Sequence, residues 1–234
     1  MERQGKKVIV LGATGHVGRL LTLSLLDDKR YSEVRIFARN PFGLTHPRLT
    51  ETHADLLALE DVRAVFKGDV VFCCVGTTKA KTPDKKDYRA IDYGIPVEAS
   101  RLCRENGIPA LIVVSALGAN PGSRIFYNRV KGEMEAEVLQ SGVPQISLLQ
   151  PSLIGGNRQE TRKGEKIAQK VMQFLDPLLA GPMKKYRMID PADIVDAMIF
   201  LADHPRKSPR IPSDEIILLA RAGRSDKGGK ALKK

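Results

Sequence analysis

Long apolar runs are missing from this chain. No stretch approaches the roughly 20 residues that a membrane-spanning helix needs. The amino terminus MERQGKKVIV carries charge without the apolar segment and cleavage site of a signal peptide. A soluble, cytoplasmic protein is the expectation. Cysteine is scarce: Cys73, Cys74 and Cys103 are odd in number, lack CxxC spacing, and two of them sit in an apolar run. That usage points to reduced thiols inside a cell and away from a zinc site. His16, His46, His53 and His204 are scattered and no HExxH occurs, so no catalytic metal is expected. Hairpin turn signals are absent between the apolar runs, and no internal repeat precedes the C-terminal tail.

What is present begins with VIVLGATGHVG, Val8 to Gly18. A short apolar run stops at Gly12 and is followed by the amphipathic stretch GRLLTLSLLDD, which predicts a buried strand, a tight turn and a helix. A helix start leaves backbone N–H groups unpaired and carries partial positive charge, so an anion such as a diphosphate satisfies both. Gly12 permits the turn, Gly15 lets the backbone approach the diphosphate, and Gly18 lets the helix pack on the strand. Thr14 and His16 offer donors, and Val17 completes the turn. The spacing is GxxGxxG, not GxGxxG.

The 234 residues, 42% of them apolar, are enough for one well-filled core. Further strands are predicted at EVRIFAR, LTETHADL, DVVFCCVG, PALIVVSALGA and QISLLQPS. Helices are predicted at LALEDVRAVFKG, YRAIDYGIPVEASRLCRENG and YNRVKGEMEAEVLQSG, with TTKAKTPDKKD as a charged loop. Strands alternating with helices call for a parallel sheet with right-handed crossovers, a doubly wound α/β fold. After Gly155 the pattern becomes helix EKIAQKVMQFLDPLLA, a short strand at YRMI, helix PADIVDAMIFLAD and a last strand EIILLA. These read as a small cap within 155–212 on one domain, 1–220. The net charge of +11 owes much to RAGRSDKGGKALKK, 221–234, which reads as a flexible basic tail, with a weak interaction arm as the alternative. No specific nucleic-acid partner is expected.

In a dinucleotide fold the end of the second strand reads the adenosine ribose. Here Arg39 stands there, 21 residues after Gly18, with no acidic neighbour. A guanidinium attracts a 2′-phosphate that a carboxylate would repel, which favours NADP(H) over NAD(H). Asp55 and Leu56, after the third strand, are placed to meet adenine; Val75 and Gly76, after the fourth, are placed to meet the adenosine ribose. The plain alternatives are an aspartate capping the next helix and a glycine turning the chain.

The fifth strand ends in Ser115, and Tyr127 and Lys131 follow four residues apart on one helix face. A nearby ammonium stabilises phenolate and lowers the tyrosine pKa from about 10, making it useful in proton transfer. Lys131 has nicotinamide ribose hydroxyls within reach, and Ser115 is placed to hydrogen-bond a substrate oxygen.

These residues resemble the short-chain dehydrogenase/reductases. GATGHVG is similar to the glycine turn of their extended and atypical members, and Ser115, Tyr127 and Lys131 match the catalytic serine, tyrosine and lysine. VVSALGANPGSRIFYNRVKGEMEAEV and QPSLIGGNRQETRKGE are most similar to the atypical branch of the Tat-interacting oxidoreductases. The resemblance implies an NADPH-binding fold in which Pro151, Ser152 and Leu153 border the nicotinamide. The chain departs from the pattern twice. The family asparagine after the fourth strand has Asp92 as its nearest counterpart, and the expected asparagine-rich turn is CCVGTT.

Two classes of function stand open. One is an NADPH-dependent enzyme reducing a small carbonyl compound, with epimerisation or dehydration of a nucleotide-linked sugar as a variant. The other is a cofactor-loaded regulator with vestigial turnover and a protein partner, for which RQETRKGEK and the tail supply contact surface. The helices carrying Ala99 and Met134 are the candidate homodimer surface.

Overall fold

The computed structural model describes residues 5–155 and 186–231, with side chains to 226. The helix expected at EKIAQKVMQFLDPLLA and the stretch RQETRKGEK lie outside the described residues.

Strand β1 (Lys6–Leu11) enters the centre of a parallel sheet, and its residues Val8 to Leu11 are all buried. Side chains alternate across a strand, so Val8 and Val10 join the core on one face and Ile9 and Leu11 the core on the other. Around β1 stand β2 (Tyr31–Ala38), β3 (Leu49–His53), β4 (Val70–Cys73), β5 (Ala110–Val114), β6 (Gln145–Gln150) and β7 (Arg210–Pro212). Their order is β3-β2-β1-β4-β5-β6-β7, with Val10 opposite Ile36 on one side and Phe72 on the other. Every pairing is parallel.

Helices cover both faces. On the first lie α1 (His16–Asp27), α5 (Pro191–Leu201) and α6 (Ser213–Ala231), through Leu21, Leu25, Ile194, Met198 and Ile216. On the second lie α3 (Ile95–Glu105) and α4 (Phe126–Gln140), through Ala99, Leu102, Met134 and Val138. Each fully buried leucine contributes on the order of 2 kcal/mol. The loops that leave the carboxyl ends of β1, β4, β5 and β6 therefore open on one edge, where such sheets bind ligands.

The sequence expectations hold for the sheet and fail locally. Leu56–Val65 forms tight 3-10-type turns instead of an α-helix, with Ala58 out of helical geometry (φ −126°, ψ 47°). Only Leu59 is buried there, so no apolar stripe rewards a longer helix. The next helix begins early, at α2 (Lys85–Arg89), where Asp84 accepts from the N–H groups of Lys86 and Asp87. It then widens into a π turn (Ala90–Gly94), in which the Ile95 N–H reaches back to the Ala90 carbonyl. Pro96 lacks an N–H and leaves a carbonyl one turn back without its partner, which favours this widening.

EIILLA is not a strand. It lies inside α6, where Ile216, Leu219 and Ala220 are buried at helical spacing. The supposed tail continues that helix to Ala231, and Arg224 reaches Asp193 and Asp196 of α5. Within the stretch assigned to a cap, α5 packs on α1 and α6 and β7 extends the sheet, so residues 191–212 belong to the body of the fold.

Candidate active site

The glycine turn is fixed by sterics. Gly12 has φ 79°, and a side chain there would meet the Cys74 carbonyl carbon and oxygen at 3.0 Å. Gly18 is tighter still, since a Cβ would stand 2.1 Å from the Gly12 carbonyl oxygen. Gly15 caps α1 without a side chain, and its N–H bonds the Gly12 oxygen at 2.9 Å. The N–H groups that open α1 at His16, Val17 and Gly18 have no partner within the helix. Thr14 is exposed beside them. The His16 Nε2 is buried there without a hydrogen-bond partner among the described residues.

Helix α4 carries Tyr127 near its start, 39% exposed, and Lys131 one turn on, 2% exposed. The Lys131 Nζ lies 3.0 Å from Asp92 Oδ1, and the other Asp92 oxygen accepts the Thr77 N–H at 2.8 Å. Asp92 owes its place to the π turn. Burial works against the Lys131 ammonium, but the charges of Asp92 and of Tyr127 as phenolate outweigh it and hold the lysine above its ordinary pKa. Tyr88, on α2, packs edge-on against Phe126 at 5.6 Å, donates to the Thr77 carbonyl at 3.2 Å, and is pushed up by burial and by Asp92. Cys73 lies beneath, pushed up to about 11 by burial.

Ser115 belongs to a different group. Its hydroxyl donates to Glu135 Oε1 at 2.5 Å, and the same carboxylate receives Gln150 at 2.9 and 3.1 Å and the Arg210 Nε at 2.8 Å. Glu135 is 1% exposed, and a buried carboxylate needs such donors. The sequence marks Glu135 only as one more polar residue in KGEMEAEV, so the cluster was not foreseen.

Gly132 was also missed. A Cβ on it would lie 2.2 Å from the Asn120 carbonyl carbon, so the loop after β5 crosses α4 at this glycine. Pro151 is buried and its carbonyl accepts the Leu117 N–H at 2.9 Å. The Ser152 hydroxyl donates to the Arg187 carbonyl and accepts from Ser213 at 3.1 Å, which leaves Leu153 as the exposed member of that trio. Val75 is buried, and a Cβ on Gly76 would have ordinary contacts, 3.6 Å from Asp92 Oδ1 and 3.8 Å from Lys131 Nζ. Gly76 is thus not required by space.

The family described as NAD(P)H-binding matches residues 12–164. The chain belongs to it. Protein HTATIP2 of Rattus norvegicus is 30% identical over 171 residues, 71% of this chain and 70% of that protein. Protein FMP52, mitochondrial, of Debaryomyces hansenii is 28% identical over 200 residues, 84% of this chain and 87% of that one. Among solved structures, the Bordetella bronchiseptica enzyme WbmG in complex with NAD superposes with a TM-score of 0.67 at 13% identity, covering 90% of this chain and 73% of that one. That likeness is one of fold: the parallel sheet with helices on both faces is shared. The expected cytoplasmic location does not stand, because FMP52 is named mitochondrial.

The residues of the glycine turn suit a dinucleotide's diphosphate by their own chemistry. The glycine cradle would be filled by any Cβ at Gly12 or Gly18, and the orphaned His16 nitrogen sits beside the unpaired helix start. Arg39 follows β2, exposed, with no ion pair or hydrogen bond among the described residues. Asp55 accepts the Leu57 N–H at 3.0 Å and caps the turns after β3, while Leu56 packs partly buried on the core. Arg19, not singled out in the sequence, bonds the Phe42 carbonyl at 3.1 Å and lies 4.8 Å over the Phe42 ring, steadying the loop that follows Arg39. Ala99 and Met134 are buried in their own chain.

Proposed function

We propose that the chain is an NADPH-dependent oxidoreductase that reduces a small carbonyl compound, with Tyr127 as proton donor. The observation that carries this reading is the buried Lys131 ammonium, held by Asp92 at 3.0 Å and electrostatically coupled to Tyr127. When bound, NADPH supplies the hydride that adds to the carbonyl carbon. Tyr127 gives its phenol proton to the carbonyl oxygen, completing the alcohol. Lys131 stabilises the phenolate left behind. The partial exposure of Tyr127 lets solvent restore the proton. Arg39 supports NADPH over NADH, since it stands exposed just after β2, without an ion pair among the described residues, at the place where a dinucleotide fold reads the adenosine ribose.

Ser115 supplies no hydrogen bond to the substrate in this scheme, because its proton is engaged by Glu135. That engagement favours a second reading, an NADPH-binding regulatory protein without turnover. Fluorescence titration with NADPH and NADH, followed by a carbonyl screen with the wild type and Tyr127→Phe, separates the two. Turnover that Tyr127→Phe abolishes supports the reductase. Tight NADPH binding with no turnover that this substitution removes sinks it.

A further inference from the structure

We propose that Asp92 offsets part of the charge of Lys131 and thereby keeps Tyr127 a protonated phenol until it meets substrate, setting the site as a proton donor for reduction. The inference rests on the reductase reading for its consequence, though not for its test. A lysine one turn from a tyrosine would, alone and buried, favour phenolate and so a proton acceptor. Here the ammonium is met first by a carboxylate at 3.0 Å, with both groups almost wholly out of solvent. At that separation and burial the pair acts on its surroundings as a dipole and not as a full positive charge.

Among the described residues, groups that face Tyr127 and Lys131 come from four elements. The π turn presents Asp92, α2 presents Tyr88, and β4 presents Cys73. On α4 itself Glu135 is tied to Arg210, and Glu133 to Arg89 at the surface. Burial holds the Tyr88 phenol and the Cys73 thiol neutral through the physiological range. Among the described residues Asp92 is thus the charge paired with Lys131 in the interior. Its second oxygen is fixed by the Thr77 N–H at 2.8 Å, and the backbone at Gly76 passes over the pair, where even a Cβ would sit 3.6 and 3.8 Å from its two polar atoms. Asp92 is a positioning residue on this account: it acts on Tyr127 through Lys131.

The test is the titration of the Tyr127 phenol in the full chain, followed by NMR of ring-labelled tyrosine and assigned with Tyr127→Phe. Asp92→Asn keeps an acceptor for Thr77 and removes the charge, and should lower the Tyr127 midpoint by about one pH unit or more. Asp92→Asn combined with Lys131→Gln leaves no buried charge unpaired, and its Tyr127 midpoint should rise from that of Asp92→Asn to the wild-type value or above, since the ammonium that lowered it is gone. An Asp92→Asn midpoint that is unchanged or raised overturns the proposal. So does a double variant that keeps the lowered midpoint of Asp92→Asn, because the shift would then not pass through Lys131. If no carbonyl compound is ever turned over, the reductase reading fails while these midpoints still decide the role of Asp92.

Discussion

A methyl group on Gly18 would stand 2.1 Å from the carbonyl oxygen of Gly12. No side-chain rotation relieves that contact, since both partners belong to or adjoin the backbone. Gly18→Ala must therefore push α1 away from the turn, at a cost of about 1–3 kcal/mol typical of overpacking, and spread the N–H groups that receive the diphosphate. Thermal unfolding should show the lower midpoint, and NADPH affinity should fall at least about tenfold. Gly76→Ala is the control. Its Cβ contacts of 3.6 and 3.8 Å are ordinary, so its melting midpoint should match the wild type.

Ser115 and Tyr127 should behave unlike two members of one catalytic unit. The Ser115 hydroxyl is one of the donors on Glu135, with Gln150 and Arg210 remaining when it is lost. Ser115→Ala should cost about 1 kcal/mol of stability and leave kcat within a few-fold. Tyr127→Phe removes the proton donor and should lower kcat by about a hundredfold or more. Steady-state kinetics on any substrate found decides this, and a loss for Ser115→Ala equal to that for Tyr127→Phe would restore the serine to the reacting centre.

The sheet and the glycine turn were legible because each rests on a local pattern: apolar runs too short for helices, and glycines where any Cβ collides. Tyr127 and Lys131 were legible as a pair because four residues on a helix is a fixed distance. Glu135, Gly132 and the pairing of Asp92 with Lys131 were not, since these roles arise between elements far apart in the chain. Glu135 meets Arg210 across 75 residues, and Gly132 is defined by a loop that lies on it. The error over EIILLA has a plainer origin. A short apolar run carries no period of its own, and the burial of Ile216, Leu219 and Ala220 against α5 and the sheet decided for helix.

Arg39 and Arg19 should divide the work of cofactor recognition in a measurable way. Arg39 is exposed at the end of β2 with no carboxylate beside it, so Arg39→Asp should weaken NADPH by about tenfold or more while NADH is little affected. Arg19 holds the Phe42 loop and has no such selectivity. Arg19→Ala should weaken both nucleotides alike. Paired fluorescence titrations give the ratio directly, and an Arg39→Asp variant that still prefers NADPH would move the 2′-phosphate contact elsewhere.

Alkaline pH should erode the fold before it removes surface charge. The Cys73 thiol, pushed up to about 11 by burial, keeps its proton in the folded state while the unfolded chain begins to lose it near about 8.5. The unfolded state then binds fewer protons, so stability is complete below about 8.5 and declines from there towards 11. Over the span from about 8.5 to about 11 the loss is roughly 3 kcal/mol. Lys131, also held above its ordinary value, acts in the same sense at higher pH: its contribution is full below about 10.4 and fades as pH rises through the folded value. Denaturant midpoints measured across this range should fall with pH, and Cys73→Ala should start lower, because it leaves a cavity in the core, yet fall less steeply. An equal slope for the two proteins would remove Cys73 from the cause.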